Sequence, residues 1–393
     1  MTATTSWYSG FRPRPKPVRT SARRLLTGSP RLEASRQLAK EGLALPFMGL
    51  TTDGMLREGV FPLQATGVST ARLRDAALAV LDALTPDQRA DACLPLDSPL
   101  WRAWSNVHVF IMRHGVCLDD LAPAQREAAL ALVAEALSAD GFESARNVMR
   151  LNYTIGEITG SWEDYGEWYY WLSFFGTPSA AEPWGWQIDG HHLIVNCLVL
   201  GDQLVMTPVF MGSEPVLAET GKYAGTRVFE REEATGIALM QALSAAQRDR
   251  AIIGAEVLRE VVAGQFQDNL VLPYEGIACA ELTGPQRDLL CDVIESYVGR
   301  MAPAYAAAKR AEVRAHLDAT HFAWRGAGDA SGVFYYRVHS PVILIEFDHL
   351  PGIALDNDAP SRNHVHSIVR TPNGNDYGKD LLRQHYARYP HKV

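Results

Sequence analysis

Two stretches of this 393-residue chain concentrate the side chains from which a reaction centre can be built. The first, residues 333–374, reads VFYYRVHSPVILIEFDHLPG and then IALDNDAPSRNHVHSIVRTPNG. At period two, Val342, Leu344, Glu346 and Asp348 leave a strand on one side, and Ile343, Ile345, Phe347 and His349 on the other. In the next run His364, His366, Ile368 and Arg370 share a face. Antiparallel pairing of the two runs would line one wall with two carboxylates and two imidazoles. His-x-His on a strand also brings two rings within reach of one ion. The second stretch, residues 183–196, reads PWGWQIDGHHLIVN. There Gln187, Asp189 and His191 share one face, and His192, Ile194 and Asn196 the other. A regular strand therefore aims only one of the adjacent histidines at a site, and Gly190 is where a bulge would re-aim one.

These groups predict a metal-dependent enzyme, hydrolytic rather than redox, acting on a small organic substrate. The expected ligands are His191 or His192, Glu346, His364 and His366, holding a divalent ion, with zinc ahead of iron or copper. The ion would acidify a water and polarise a carbonyl or similar group. Asp189 or Asp348 would carry the proton, and Arg370 would hold a substrate anion. The same residues fit an iron or copper oxygenase or oxidase, because two histidines and a carboxylate with open positions suit Fe(II). They also fit a non-catalytic cleft that binds a small ligand through Trp184, Trp186 and Arg370. A metal-free alternative has Glu346, Asp348, His364, His366 and Arg370 satisfying one another, as buried charges must. Either histidine of the adjacent pair has its own plain alternative, a core-edge ring bonded to a neighbouring carbonyl. His321, His339 and the aromatic residues from Trp162 to Trp186 rank lower. The sequence contains no GxSxG, GxGxxG, Walker or HExxH pattern, which argues against serine-hydrolase, dinucleotide and P-loop chemistry.

Capped helices must position these stretches. LTPDQR (84–89), LAPAQR (121–126), LSAAQR (243–248) and LTGPQR (282–287) recur, and three carry the S/T-x-x-Q capping box. Proline in the first turn suits the same place. Residues 115–137 align without a gap on residues 276–298, and the preceding capped copies lie at similar distances upstream. A repeat so spaced predicts an internal duplication. Tyr-Tyr runs at 167–176 and 333–341, then Ile188-Asp189…His192 against Ile345-Glu346…His349, extend the match into the strands. The expected class is α+β: antiparallel sheet packed with helices, in two duplicated halves related by a pseudo-two-fold axis, with the ion between them. The expected division is an N-terminal arm and helix (1–68), a first half (69–212), a connector (213–242), a second half (243–375) and a C-terminal helix and tail (376–393). Residues 46–64 are expected to form a short hairpin.

Composition narrows the class. At 47% hydrophobic the chain can bury a large core. A net charge of −8, with no basic stripe beyond Arg12–Arg24, argues against nucleic acid. No apolar run approaches the roughly 20 residues of a membrane span, and the start lacks the apolar core of a signal peptide. Five scattered cysteines without a CxxC favour reduced thiols and a cytoplasmic setting. The partner expected is a small-molecule substrate, with a homodimer left open.

FFGTPSAAEPWGWQIDGHHLIVN, FMGSEP, LPYEGI, HFAW, SPVILIEFDH and RNHVHSIVRTPNGNDYGKDLLRQHY together resemble the domain-of-unknown-function family numbered 3500, over roughly residues 35–390. The resemblance implies a soluble protein of bacterial type and brings no established reaction with it.

Overall fold

A computed structural model describes residues 30–107, 114–329 and 331–389; the proline-rich arm lies outside them. Ten α-helices occur among the described residues: α1 (Pro30–Ala44), α2 (Ala71–Ala83), α3 (Pro86–Ala92), α4 (Pro123–Ala136), α5 (Ala139–Thr159), α6 (Glu230–Ala242), α7 (Ala245–Ala251), α8 (Gly284–Val298), α9 (Pro303–Ala315) and α10 (Lys379–Arg388). The four recurring phrases do start helices, α3, α4, α7 and α8. Before α3, the Gln88 amide donates to Thr85 Oγ1 at 3.3 Å and the Thr85 amide to Gln88 Oε1 at 3.0 Å. Ser244 and Gln247 repeat this before α7. At Ala122 and Thr283 only the glutamine half forms, at 2.8 and 2.9 Å. Each later glutamine also reaches the earlier one: Gln125 Nε2 donates to Gln88 Oε1 and Gln286 Nε2 to Gln247 Oε1, both at 2.8 Å. The phrase therefore caps one helix and clasps it to the next.

Thirteen strands among the described residues form one sheet. They are β1 (Cys93–Leu94), β2 (Val116–Cys117), β3 (Tyr170–Phe175), β4 (Trp184–Gly190), β5 (Leu193–Leu200), β6 (Gln203–Val205), β7 (Val209–Ser213), β8 (Ile252–Gly254), β9 (Ile277–Ala278), β10 (His321–Gly326), β11 (Phe334–His339), β12 (Leu344–Leu350) and β13 (Ser361–Arg370). The order is β1-β3-β4-β5-β7-β13-β12-β11-β10-β8, with β2 beside β3, β6 beside β5 and β9 beside β10. The expected class holds as helices packed on a large sheet. That sheet is mixed and not wholly antiparallel, because β1 joins β3 and β8 joins β10 in parallel.

The register gives the sheet two unlike faces. One presents Phe174, Trp186, Ile188, Val195, Met211, Val365, Ile345, Phe347 and Tyr336, which pack with Leu73, Leu132, Val148, Leu239 and Leu290 of the helices. Truncating one such aromatic residue to alanine would remove about 3–5 kcal/mol. The other face carries Ser173, Gln187, Asp189, Asn196, His364, His366, Asp348, Glu346, Arg370, Arg337 and His339, all buried. Irregular segments cover it, and Trp101, Trp104, Val261, Ala263 and Tyr377 join its smaller core with Phe210 and Ile368. Buried on both faces, β5 reads as the near-continuous apolar run LIVNCLVL.

One expectation changes. Residues 46–64 form no hairpin: the Thr51 amide donates to Leu270 O at 3.0 Å and the Leu272 amide to Thr51 O at 2.8 Å. Asn269 Oδ1 accepts from the Met48 amide at 2.8 Å, so distant chain satisfies what a local partner would have. The connector 213–242 contains α6, which packs against α8, and a Cβ at Gly236 would lie 2.6 Å from the Tyr336 ring. It belongs to the helical layer. The two Tyr-Tyr runs fall on strands of different rank, Tyr170 on β3 and Tyr335–Tyr336 on β11; β10 holds the place from its edge that β3 holds from the other. No described helix is long and apolar enough to cross a membrane, and no disulfide joins the five cysteines.

Candidate metal centre

Strand β13 supplies the first two rings. Period two sends His364 and His366 to the polar face, and antiparallel pairing sets Asp348 of β12 directly opposite His366. The third ring, His192, comes from the turn between β4 and β5. Its backbone takes φ 64°, in the left-handed region. That turn is fixed at both ends, by its amide donating to Asn106 O at 3.3 Å and its carbonyl accepting from the Gly212 amide at 2.8 Å. Gly212 lies opposite His366 on β7. A Cβ there would lie 2.8 Å from His366 Cδ2 and 3.0 Å from His192 Cδ2, so the missing side chain is what lets the two rings meet.

Nε2 of His366 lies 3.1 Å from Nε2 of His364 and 3.2 Å from Nε2 of His192. Among the described residues these three side chains form the one group of three or more His, Cys, Asp or Glu able to share an ion. Two of them have their tautomer set from behind. Nδ1 of His364 lies 2.7 Å from the Pro351 carbonyl, which only accepts, so that nitrogen carries the hydrogen. Nδ1 of His366 lies 2.8 Å from Glu260 Oε1, again an acceptor. In the neutral rings both Nε2 atoms are then bare lone pairs aimed at each other. Lone pairs so close repel unless a cation or a proton lies among them. Nitrogens bonded to a tetrahedral ion at about 2.05 Å stand about 3.3 Å apart, close to the spacings here.

The support continues outward. Glu214 accepts from the amides of Ile353, Ala354 and Leu355 at 3.0–3.1 Å, which pins the loop that offers Pro351. Its Oε2 lies 3.9 Å from His364 Nδ1. Burial holds the His364 imidazole below the usual histidine range, against the pull of Glu214. Glu260 is half exposed, at 53% of its side chain, and lies between the histidines and solvent. Desolvation would raise its carboxyl, but the charge His366 carries when protonated and its hydrogen bond outweigh that and hold it below the ordinary range.

The other expected residues go elsewhere. His191 turns away: Nδ1 meets Asn152 Oδ1 at 2.7 Å, its carbonyl accepts from Tyr170 OH, and its ring stacks on His192 at 3.8 Å. Glu346 shares the histidines' face but not their cluster. Its carboxylate accepts from the Val262 and Ala263 amides at 3.2 and 2.7 Å and from Tyr335 OH at 2.5 Å. Arg370 is occupied within the fold, donating to Asp268, Asp376 and the carbonyls of Ala263 and Gly264. Both side chains clamp segment 260–268 onto the sheet, which presents Glu260 to His366, and Arg370, expected to hold a substrate anion, is engaged with these partners instead. Asp348 is fully buried, and neither of its oxygens has a hydrogen-bond partner among the described residues. Burial, then the charges of Glu260 and Glu346, push its carboxyl well above the ordinary range. Asp189 is raised by burial too, although the Ser105 amide donates to it at 3.2 Å, and it lies across β5 and β7 from β13.

Sequence reasoning missed Glu260, Glu214 and Gly212. Gly212 had a signal, a glycine inside a strand-like run, which marks close approach. Glu260 and Glu214 sit in irregular chain with no period to read.

The architecture is thus a mixed sheet with helices on its apolar face and a buried histidine cluster on its polar one. Residues 66–379 match the family described as protein of unknown function (DUF3500), and the chain belongs to that family. Searches of curated proteins and of solved structures gave no match.

Proposed function

We propose that the protein is a metal-dependent enzyme in which His192, His364 and His366 hold a divalent ion, zinc in preference to iron or copper, and that it hydrolyses a small organic substrate. The observation that carries this reading is the convergence of Nε2 atoms at 3.1 and 3.2 Å, with Nδ1 tied back at His364 and His366. Three imidazoles with an open fourth position match the donor set of catalytic zinc, and tied-back rings match how such ligands are oriented. Among the described residues no carboxylate belongs to the cluster, which favours zinc over the two-histidine, one-carboxylate iron arrangement. When bound, such an ion lowers the pKa of a water and polarises an electrophile. Asp348, whose carboxyl burial pushes up, is the cross-strand neighbour of His366 and the residue to pass a proton to a leaving group.

The test is metal content and optical spectrum of protein purified without a histidine tag, then chelator titration of the wild type and of His192→Ala, His364→Ala and His366→Ala. Stoichiometric colourless zinc, lost in each variant, is expected. A d–d or charge-transfer band would replace zinc with iron or copper. Protein that carries no stoichiometric ion and ignores the chelator would overturn the metal reading, leaving one shared proton to hold the three rings. Hydrolysis is tested separately, on a panel of small esters, amides and lactones with and without chelator. Turnover that survives metal removal would refute it.

We also propose that the two halves arose by duplication. Its support is the strand order, which enters from either edge with a parallel strand (β1, β8), then one taking a two-residue partner (β3 with β2, β10 with β9). The two glutamine clasps and the central Thr207–Thr371 hydroxyl contact, 2.7 Å, agree with it. If overlaying β3-β4-β5-β7 on β10-β11-β12-β13 in a crystal structure left α4 away from α8, the duplication would fail.

A further inference from the structure

A cavity of about 690 Å³ lies on the side of the sheet away from the histidines. Its floor is Val209 and Met211 of β7 and Val369 of β13, whose side chains point to the helical face while Gly212, His364 and His366 take the other. Tyr305 and Lys309 of α9 form part of its wall, and the exposed Ala308 stands at its edge. Native interiors rarely hold voids much larger than a water molecule, whereas clefts of roughly 300–1,000 Å³ are typical of small-molecule sites.

Two cations at the wall, Lys309 and Arg300, are already paired within the protein. Lys309 Nζ bonds Glu312 and the Val342 carbonyl, the latter at 2.8 Å. Arg300 bonds Glu232 and lies 3.2 Å from Met211 Sδ. An incoming anion would have to draw Lys309 or Arg300 out of its pair, and an uncharged molecule would not.

We propose that this cavity is a second binding site, separate from the histidine centre, for an uncharged and mostly apolar small molecule. It stands whether or not the histidines hold a metal. The test is fluorescence titration of the full chain with the neutral probe N-phenyl-1-naphthylamine. Saturable enhancement is expected, unchanged by chelator. Ala308→Trp narrows the mouth from an exposed position, and Val369→Phe fills the floor. Each should weaken the probe by about tenfold or more while melting stays cooperative and metal content is unchanged. The sulfonated relative, 1-anilinonaphthalene-8-sulfonate, should bind more weakly than the neutral probe. No saturable binding to the wild type, or equal affinity in both variants, overturns the site. Tighter binding of the sulfonate overturns the assignment to an uncharged ligand.

Discussion

Replacing Gly212 by alanine tests the proposed centre without touching any of its three histidines. The backbone at Gly212 is not left-handed, so alanine meets no conformational penalty there. The added methyl would lie 2.8 Å from His366 Cδ2, 2.9 Å from Val365 O and 3.0 Å from His192 Cδ2, where ordinary contact begins at 3.4 Å. Restoring contact requires shifts of about 0.6 Å at His366 and about 0.4 Å at His192. The Val365 carbonyl is held in the sheet, so the rings must give. Metal–ligand distances tolerate about 0.2 Å, so these shifts should weaken zinc about 10- to 100-fold. Overpacking should also lower stability by about 1–3 kcal/mol. The assay is zinc competition against a chromophoric chelator at fixed pH, with melting of the chelated protein measured separately. An alanine variant that melts lower but keeps wild-type zinc affinity would show that these rings do not hold the ion.

Three further outcomes follow from the same geometry. Glu260→Gln should lower metal affinity about 10- to 100-fold and barely change melting of the chelated protein, because the side chain is half exposed and acts through His366; unchanged affinity removes it as an orienting group. Glu346→Gln should lower melting by about 1–3 kcal/mol, because an amide cannot accept from all three donors that the carboxylate now serves; a neutral result in denaturant titration denies it the clamping role. Burial, partly opposed by Arg370, raises the Asp376 carboxyl from 3.8 to about 6. The native state thus binds this proton more tightly than the unfolded chain. Its contribution to stability is fully present below the unfolded value and is lost as pH rises through the folded one, about 3 kcal/mol in all. The wild-type-minus-Asp376→Asn difference in stability should fall between about pH 4 and pH 6; a flat difference refutes the shift.

The wall of the centre was legible because period two needs only one strand at a time. His364 and His366 share a face in any regular strand, and a turn-rich link before them makes antiparallel return the simplest path. The pairing of Asp348 with His366 follows from that return. What the face shares is a side, not a partner. Glu346 and Arg370 occupy the right side, but the amides at 262–263 and the carboxylates of Asp268 and Asp376 reach them first. The choice of His192 over His191 depends on one dihedral in a turn, which alternation cannot encode. Glu260 stands 106 residues before the ring it contacts, in chain without periodicity, so no local pattern finds it. Capped helices were legible for the opposite reason, since a capping box is complete within four residues. Two aromatic residues in a row describe any buried strand in a sheet covered on both sides, so the Tyr-Tyr match by itself assigns no strand equivalence.

The left-handed turn at His192 has a bearing on how this protein can be altered. For an L-residue with a side chain, that conformation costs about 1–2 kcal/mol relative to the right-handed one, and glycine escapes the cost. Backbone preference at position 192 therefore favours the one residue that has no ring. Any thermostabilisation scheme that ranks substitutions by local fit would propose His192→Gly early and score it as an improvement. The resulting protein would keep its sheet and lose a corner of the histidine cluster. Engineering of this chain should hold position 192 fixed, along with the small residue at 212 that faces it.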